Sequence, residues 1–456
     1  MKTFDNILKT IGHTPIVKLN KVCPKDPHTY YVKMETFNPG QNIKDRAALS
    51  IVEEAEKRGE LKPGSTIIEA TSGNTGLGLA MIAAVKGYKC ILVMPDKVAE
   101  EKRAILRAYG AKVVICPTDV NPEDPRSYYC VTKKLVEITP NAFHSNQYHN
   151  PDNPLCHYVS TGPEIWEQMD GKIDVLVAGC GTGGTLSGMG KFFKEKNKKV
   201  QIVAVDPVGS LLYDLYHHKE VRTPAHSYKV EGVGEDFLPG NVHFEYMDDF
   251  IRVDDKSSFM MCQELVNKEA ICVGSSSGMA VVGAFAYGKK IKEPKNIVII
   301  LPDHGRAYLS KAFNPAWLRE NGFVESPMSE RTIADLLTNL PKREVVTAKV
   351  GNSVMEVVDL LKKHGISQVP VFSDKNLVGI VDESDLIMPL AKGTLRPTDP
   401  IIHLIRGSIV WVEETDTLQS LTEHFQKGYI ALVQDDKGDL RIITKIDLLE
   451  HMGSFL

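Results

Sequence analysis

Three short segments of this chain carry groups that could take part in one reaction. Lys44, in the segment NPGQNIKDR (residues 38–46), offers an amine that can form a Schiff base. Residues 181–185, GTGGT, offer backbone N–H groups for a phosphate, and residues 71–75, TSGNT, offer hydroxyl and amide donors for a carboxylate. Together they predict that pyridoxal phosphate (PLP), a phosphorylated aldehyde, acts here on an amino acid.

Lys44 is predicted to lie in the first turn of a helix, with Asn42 as a candidate N-cap and Asp45 within reach. A single lysine is most often a solvated surface charge. Here desolvation and the positive end of the helix would both lower the pKa of the amine and favour its neutral form. Lys44 is therefore the candidate imine-forming residue.

The other loops each have an ordinary structural interpretation as well. A glycine-rich turn such as residues 181–185 can join a strand to a helix without binding anything, although its two threonine hydroxyls can donate to phosphate oxygens. Residues 71–75 can form a simple capping turn, or can hold a substrate carboxylate and leave Asn74 for a cofactor oxygen. A third turn, GSSSG at residues 274–278, is by itself best explained as a helix cap.

Short apolar runs alternate with helical stretches over roughly residues 5–320. Strands are predicted at residues 66–70, 90–95, 112–116, 175–178, 201–206 and 296–301, and helices at residues 76–86, 100–109 and 279–287. Near-continuous Val, Ile and Leu in these strands predict an α/β fold with a mostly parallel sheet that is covered on both faces. Ligands bind such sheets beyond the carboxyl ends of the strands, where residues 71–76 and 181–185 are expected.

The last third of the chain contains an internal repeat. The pattern of residues 365–386 recurs at residues 428–448, with an offset of about 62 residues between Asp385 and Asp447. Each copy is predicted to form a helix, two strands and a second helix that begins near the aspartate, and the two copies should pack as one module. We divide the chain into a catalytic domain at residues 4–322, a linker at 323–340 and repeat domains at 341–395 and 396–456.

The composition argues against several other classes of protein. A formal net charge of −4 does not favour nucleic acid binding, and no apolar run approaches the ~18 residues of a membrane helix. The N-terminus lacks a signal-peptide pattern. The eight cysteines are scattered, without CxxC or metal-ligand spacing, which predicts reduced thiols in a cytoplasmic protein with no metal site.

These motifs resemble those of the PLP-dependent β-replacement enzymes of fold type II, the family of cysteine synthases and cystathionine beta-synthases. The resemblance spans nearly all of residues 4–320, from IGHTP at residues 11–15 to PDHGR at residues 302–306. It implies mostly parallel sheets in two subdomains and a bound PLP. It also implies a reaction in which the β substituent of an amino acid leaves and a thiol takes its place.

The resemblance implies a role for individual residues. Lys44 corresponds to the Schiff-base lysine and general base, Asn74 to the partner of the ring hydroxyl, and Ser276 to the hydroxyl that faces the pyridine nitrogen. A neutral serine cannot hold that nitrogen protonated, which suits β-elimination better than transamination. The implied phosphate loop is Gly181, Thr182, Gly183, Gly184 and Thr185, and the implied substrate-carboxylate contacts are Thr71, Ser72, Thr75 and Gln147.

Two features favour the cystathionine beta-synthase branch, which makes L-cystathionine from L-serine and L-homocysteine. VEGVGEDF at residues 230–237 resembles the EGxGxDF segment of that branch and implies substrate contacts by Gly232, Glu235 and Asp236. The tail resembles a tandem CBS (Bateman) module. Glu235 replaces an aromatic residue of the animal enzymes and resembles bacterial forms, so cysteine synthase (O-acetylserine sulfhydrylase) with a regulatory CBS pair is the alternative. Hydrogen sulfide production stays open.

The resemblance also implies which further ligands to expect. The chain lacks the N-terminal haem-binding extension of the animal enzymes, and Cys23-Pro24 has no partnered histidine segment, so no haem is expected. CBS pairs often bind adenosyl ligands at a Thr/Ser-x-x-Asp helix start, which is present as Thr444 and Asp447. Asp382 replaces the hydroxyl in the first copy and would repel phosphate, which favours S-adenosylmethionine over an adenine nucleotide.

Two alternatives for the tail stay open. The module could bind nothing and only mediate assembly, or the whole protein could be primarily a metabolite sensor. A homodimer or a higher homo-oligomer is expected in either case, with small amino acids as substrates and with neither nucleic acid nor membrane as partner.

Overall fold

The computed structural model describes residues 3–71, 73–96, 98, 100–117, 120, 123–324, 328, 331–341, 345–374, 376–434 and 440–453. The chain forms two compact units, Met1–Phe323 and Val324–Leu456. The first unit therefore corresponds closely to the predicted catalytic domain, and the second contains the predicted repeats.

The first unit is built on two sheets. Its strands are β1 Ile16–Lys18, β2 Thr29–Met34, β3 Thr66–Ala70, β4 Lys89–Pro95, β5 Lys112–Cys116, β6 Ala142–His144, β7 Val175–Gly179, β8 Gln201–Pro207, β9 Asp249–Val253 and β10 Asn296–Leu301. A six-stranded sheet has the order β1-β2-β10-β7-β8-β9, and a four-stranded sheet has the order β5-β4-β3-β6. Within these sheets β1 pairs with β2 antiparallel, and the other pairs are parallel. The predicted α/β class with two mostly parallel sheets is confirmed.

Helices cover both sheets of the first unit. They are α1 Lys44–Arg58, α2 Asn74–Lys86, α3 Glu100–Ala108, α4 Tyr128–Ile138, α5 Asp152–Cys156, α6 Gly162–Gln168, α7 Gly184–Lys196, α8 Leu212–His218, α9 Asp255–Glu269, α10 Ser275–Gly288 and α11 Pro315–Glu320. All five residues of β3 are buried, as expected for a parallel strand covered on both faces. The loops after β3 and β7 lead directly into α2 and α7, which places both glycine-containing loops at the carboxyl ends of strands.

Most predicted elements agree with the structure to within two residues. The strands at residues 66–70, 112–116 and 296–301 have the predicted bounds. The third small-residue turn differs more, because α10 begins at Ser275 rather than at residue 279. Its serines therefore belong to the first helical turn itself.

The second unit contains two small three-stranded sheets. Its strands are β11 Ala348–Lys349, β12 Gln368–Ser373, β13 Asn376–Asp382, β14 Ile409–Trp411, β15 Ile430–Gln434 and β16 Leu440–Ile443. Its helices are α12 Ile333–Asn339, α13 Val354–His364, α14 Glu383–Ala391, α15 Leu418–Gln426 and α16 Lys445–Met452. Each copy has the predicted helix, two strands and final helix, with a short parallel strand added at the edge.

The segment predicted as a linker is structured in part. It contains α12, whose Ile333, Leu336 and Leu337 lie in the same apolar core as Leu418 and Leu421 of the second copy. The backbone N–H of Ile333 also donates to the carbonyl of Asp416 at 2.9 Å. Residues that precede the first copy thus contribute to the core of the second copy, because the apolar face of α12 packs there.

Candidate active site

Lys44 is the first residue of α1 and is held there by its neighbours. Its N–H donates to the side-chain oxygen of Asn42 at 2.9 Å, and the N–H of Ile43 donates to the carbonyl of Pro302 at 2.7 Å. Asn42 was predicted as the N-cap, but Ile43 occupies that position. Asn42 precedes the N-cap residue and supports the helix start by accepting the N–H of Lys44. The lysine is thereby fixed between the end of β10 and its own helix.

Burial lowers the pKa of the Lys44 amine below its usual range. Nearby Cys156, Glu235 and Asp303 act in the opposite direction, but their effect is smaller than that of desolvation. The neutral amine is the form that attacks an aldehyde and that accepts a proton. The structure therefore has the lowered pKa that the sequence predicted for this amine.

The loop at residues 181–185 joins β7 to α7. Gly183 takes the N-cap position with φ of +86°, and a Cβ there would lie 2.7 Å from the carbonyl oxygen of Asn241, so only glycine fits. The first N–H groups of α7 have no acceptor within the helix and form an anion-binding end. Gly184 faces Asn153 rather than the cleft, so it acts through its backbone and packing.

The two threonine hydroxyls of this loop already have protein partners. Thr182 Oγ1 accepts a hydrogen bond from Asn153 Nδ2 at 3.1 Å, and Thr185 Oγ1 lies 3.3 Å from His157 Nε2. Burial holds the pKa of His157 well below its usual range, so this ring is neutral. Each hydroxyl is thus oriented before any ligand arrives.

The loop after β3 is organised by Thr71. Its Oγ1 accepts hydrogen bonds from the N–H groups of Gly73 at 3.2 Å and Gly76 at 3.3 Å. Thr75 donates to Gln147 Oε1 at 2.6 Å, so two of the predicted carboxylate contacts meet directly. Ser72, also predicted as a contact, lies outside the described residues.

Asn74 has a partner that the sequence did not suggest. Its Nδ2 donates to Asp303 Oδ2 at 2.8 Å, and Tyr308 donates to the same oxygen at 2.5 Å. Burial raises the pKa of Asp303 above its usual range. An amide nitrogen carries two N–H groups, so Asn74 keeps one for a cofactor oxygen.

The small-residue turn at residues 274–278 does not behave as the simple cap that its sequence favours. The N-cap residue is Gly274, which has no side chain with which to cap. Ser276, in the first turn of α10, is 3% exposed and faces the cleft. Ser275 Oγ accepts the N–H of Glu231 at 3.2 Å and so ties this turn to the 230–237 segment.

One cleft of about 870 Å³ collects nearly all the predicted site residues. Those that line it are Lys44, Thr71, Asn74, Thr75, Gln147, Gly181, Thr182, Gly183, Thr185, Gly232, Glu235, Asp236 and Ser276. They come from six separate segments of the chain, two of which directly follow strands of the two different sheets. A cleft of this size accommodates a cofactor together with a substrate.

The 230–237 segment covers the glycine-rich loop. The N–H of Gly234 donates to the carbonyl of Cys180 at 2.7 Å, and Gly232 and Gly234 have φ of +79° and +73°. These left-handed glycines turn the segment tightly enough for Glu231, Glu235 and the backbone between them to line the cleft.

Sequence reasoning missed a charged cluster in the cleft wall. Glu231 pairs with Lys102 at 2.7 Å and with Lys311 at 2.5 Å. The two lysines hold the pKa of the Glu231 carboxyl below its usual range, although burial alone would raise it. Neither lysine stands in a motif, and only Glu231 lies in a segment that the sequence singled out.

The tentative regulatory pair, Thr444 and Asp447, lies in the second unit at the start of α16. The N–H of Thr444 donates to Asp447 Oδ2 at 2.8 Å, and the N–H of Asp447 donates to Thr444 Oγ1 at 3.3 Å. Asp382 and Asp385 form the corresponding pair at α14, where Arg406 also pairs with Asp385. Such reciprocal bonds are a capping box, so the helix itself requires this spacing.

Within the described part of the chain, every helix is too short or too polar to cross a lipid bilayer.

The family model of pyridoxal-phosphate dependent enzymes matches residues 7–303, and that of the CBS domain matches residues 333–392.

Relatives with known names agree with these matches. A cystathionine beta-synthase of Dictyostelium discoideum is 37% identical, with coverage of 98% of this chain and 92% of that relative. A cysteine synthase of Staphylococcus aureus is 40% identical but covers 68% of this chain and 96% of its own length. Among solved structures, an O-ureido-L-serine synthase is 36% identical with a TM-score of 0.63, over 70% of this chain and 99% of that one. A hydrogen sulfide-producing enzyme from Fusobacterium nucleatum is 36% identical with a TM-score of 0.62, over 67% of this chain and all of that one.

The relative from Dictyostelium matches both units, whereas the cysteine synthase matches a length equivalent to the first unit alone. The site geometry, the family models and the 37% identity over 98% of the chain all indicate the same family. The chain belongs to the cystathionine beta-synthase family of pyridoxal-phosphate-dependent enzymes.

Proposed function

We propose that this chain replaces the β-hydroxyl of L-serine with the thiol of L-homocysteine and releases L-cystathionine and water. The observation that carries the proposal is the meeting, in one cleft, of a lysine with a lowered pKa, an anion-binding helix start and the EGxGxDF segment. The near full-length likeness to cystathionine beta-synthases supports the same assignment.

The residues of the cleft fit PLP. Lys44 would hold the aldehyde carbon, and the first turn of α7 would hold the phosphate through N–H groups of residues 181–185. Asn74 would contact the ring hydroxyl, and Ser276 the ring nitrogen. When bound, PLP supplies an electron sink for the pair left behind when the α proton is removed.

Lys44 then has two functions in sequence. Its buried amine accepts the α proton of serine, because burial favours the neutral base. The same group returns a proton to the α carbon after the thiol has added. Thr71, Thr75 and Gln147 orient the substrate by its carboxylate, and the bond between Thr75 and Gln147 fixes both side chains beforehand.

The charged cluster supports an amino acid, rather than bare sulfide, as the second substrate. Lys102 and Lys311 could bind a carboxylate and Glu231 an ammonium group, which together match the head group of homocysteine. Hydrogen sulfide needs none of these charges. If cysteine replaced serine as the first substrate, the same replacement would release hydrogen sulfide.

A cysteine synthase is the second candidate function. Two observations favour it. A cysteine synthase is 40% identical to this chain over 310 residues, and Glu235 stands where the animal cystathionine beta-synthases have an aromatic residue. It does not by itself explain the charged cluster or the CBS module.

A competition assay tests the assignment. The purified, PLP-loaded protein would receive L-serine and O-acetyl-L-serine together with L-homocysteine and sulfide, and mass spectrometry would identify the products. Cystathionine derived from serine is the expected main product. Cysteine from O-acetylserine and sulfide, with little cystathionine, would contradict the proposal.

For the second unit we propose two tandem CBS domains, at residues 341–395 and 396–456, that bind an adenosyl ligand at Thr444 and Asp447. The repeated helix-strand-strand-helix pattern and the CBS match support this division. S-adenosylmethionine is favoured over AMP or ATP since it carries no phosphate to meet the acidic pair Asp382 and Asp385. Calorimetric titration should detect S-adenosylmethionine, and no heat with any of the three would leave assembly as the role of the module.

We further propose a homodimer or higher homo-oligomer in the cytoplasm, without haem. The eight cysteines are all free thiols, which suits a reducing compartment. Burial, together with Glu269 and Asp26, raises the pKa of Cys23 to about 11. A cysteine binds haem iron as the thiolate, and this shift disfavours the thiolate of Cys23.

A further inference from the structure

Glu235 is fixed at the wall of the cleft by its own backbone. Its N–H donates to Ser210 Oγ at 3.0 Å, and its carbonyl accepts the N–H of Leu211 at 2.9 Å. The preceding residue, Gly234, is bonded to Cys180 beside the glycine-rich loop. Glu235 and Lys44 therefore line the same cleft, and they lie close enough for the charge of the lysine to act on the carboxyl.

Tyrosine rings and charged side chains both surround this carboxyl. Tyr148 forms a hydrogen bond with it, and the rings of Tyr128, Tyr129 and Tyr228 lie near enough for its charge to affect their own ionisation. The charged groups that face it are Lys44, Asp206 and Asp236. Burial, Asp206 and Glu235 together raise the pKa of the neighbouring Cys180 thiol.

Burial first, and then the negative charge of Asp236, raise the pKa of Glu235 to about 8. This shift favours the protonated form of the carboxyl at neutral pH. A protonated carboxyl in a cleft is a proton donor, and after donation its carboxylate is a proton acceptor of matched strength.

The proposed reaction has a step that needs such a donor. Hydroxide is a poor leaving group, whereas acetate leaves from O-acetylserine without a proton. Lys44, which carries the α proton at that moment, is the rival donor. We propose that Glu235 is a catalytic residue that protonates the departing β-hydroxyl of serine and then takes the proton of the incoming thiol.

The step is balanced. The bond between the β carbon and oxygen breaks, its electron pair leaves with the oxygen, and the Glu235 proton converts that oxygen into water. The thiol sulfur then bonds to the β carbon and its proton returns to the Glu235 carboxylate. The α proton stays on Lys44 during both of these transfers and then returns to the α carbon, so both groups end as they began. This inference rests on the proposed use of serine.

Exchange of oxygen tests the step without any thiol. The full-length, PLP-loaded protein would be incubated with L-serine in isotopically labelled water, and mass spectrometry would measure label in the β-hydroxyl as water leaves and returns. Glu235→Gln should lower this exchange at least ~100-fold, while release of acetate from O-acetylserine changes only a few-fold. Equal loss with both substrates, or exchange at the wild-type rate, would overturn the proposal and favour Lys44 as the donor.

A second measurement does not depend on activity. Glu235 has a folded-state pKa of about 8 against an ordinary 4.5, so the folded protein binds a proton that the unfolded chain releases. The stability of the wild type relative to Glu235→Gln should therefore fall as pH rises from about 4.5 to about 8. A constant difference in unfolding free energy over this window would show an ionised carboxylate at neutral pH and would overturn the proposal.

A control variant is available, and failure of the proposed function can be told apart from failure of the role of Glu235. Glu220→Gln alters an exposed glutamate paired with Arg222, and should change neither the exchange nor the pH profile of stability. Wild-type protein that exchanges oxygen but makes no cystathionine with homocysteine would contradict the proposed function and leave the role of Glu235 intact. Wild-type protein that makes cystathionine from serine, together with a Glu235→Gln variant that exchanges oxygen at the wild-type rate, would overturn the role of Glu235 and leave the proposed function intact.

Discussion

Three helices that begin at the catalytic cleft start differently from the helices of the second unit. In the catalytic unit α2, α7 and α10 each have glycine at the N-cap, namely Gly73, Gly183 and Gly274, and none has a side-chain cap at that position. In the second unit the N-cap residues of the described helices all carry a hydroxyl or a carboxyl. They are Thr332, Ser353, Asp382, Thr417 and Thr444.

In the first kind of helix start, the N–H groups of the first turn are available to a ligand. In the second kind, a side chain of the N-cap residue accepts a hydrogen bond from them. The first N–H groups of any helix lack acceptors within it. A glycine N-cap leaves them for an anion, whereas a capping box such as that of Ser353 occupies them. The Thr-x-x-Asp pattern at Thr444 therefore has a sufficient structural cause, and a ligand there would have to compete with the cap.

The largest expected effect comes from the catalytic cleft. Lys44→Ala should lower cystathionine formation at least ~10⁴-fold, because the variant loses both the group that binds the cofactor and the base. Steady-state turnover would measure this loss. Binding of S-adenosylmethionine to the second unit, if present in the wild type, should be unchanged.

Lys57→Ala is the matched control, since that lysine lies on the same helix with 67% of its side chain exposed. It should retain wild-type turnover. Substantial turnover by Lys44→Ala would place the chemistry elsewhere in the cleft.

The next effect concerns the uncapped start of α7. Gly183→Ala forces a side chain into a left-handed conformation and against Asn241, which should cost about 1–3 kcal/mol from the backbone alone and weaken PLP binding as well. Gly59→Ala has φ of +71° but open space around the new Cβ, and should cost about 1 kcal/mol with PLP affinity unchanged. Chemical unfolding and PLP titration separate the two; equal PLP affinity in both variants would contradict an anion site at α7.

A pair of serine substitutions tests the comparison directly. Ser276→Ala should alter the absorbance of bound PLP and lower turnover with little change in stability, because Ser276 caps nothing. Ser353→Ala should lower the unfolding free energy by about 1 kcal/mol and leave turnover unchanged, because its hydroxyl accepts the N–H of Glu356. The reverse pattern would remove the distinction between the two kinds of helix start.

The smallest expected effect is at Thr444. Thr444→Val removes one capping bond at a partly exposed helix start and should cost about 0.5 kcal/mol, with turnover unaffected. If the hydroxyl also holds an adenosyl ligand, calorimetry should show loss of binding in Thr444→Val and retention in Ser353→Ala. Retained binding in both variants would assign the hydroxyl to the cap alone.

Much of the fold was predictable because parallel buried strands are continuous apolar runs. The strands at residues 66–70 and 296–301 needed nothing more than that pattern. α12 was not predictable as part of the second copy's core, because its partners Leu418 and Leu421 are distant in sequence and no local signal links them. The same limit applies to Asn74 and Asp303, which meet across a separation of 229 residues.

The sequence by itself determined the lysine, the glycine-rich turns, the repeat and the order of strands and helices, because each of these depends on local residue types and spacing. Tertiary structure alone decided which distant side chains share the cleft. It brought Lys102 and Lys311 to Glu231, and it placed the half-buried Glu235 beside Asp236, where desolvation and the neighbouring charge raise the pKa of that carboxyl. Desolvation and charge proximity depend on three-dimensional packing, and no pattern along the chain encodes them.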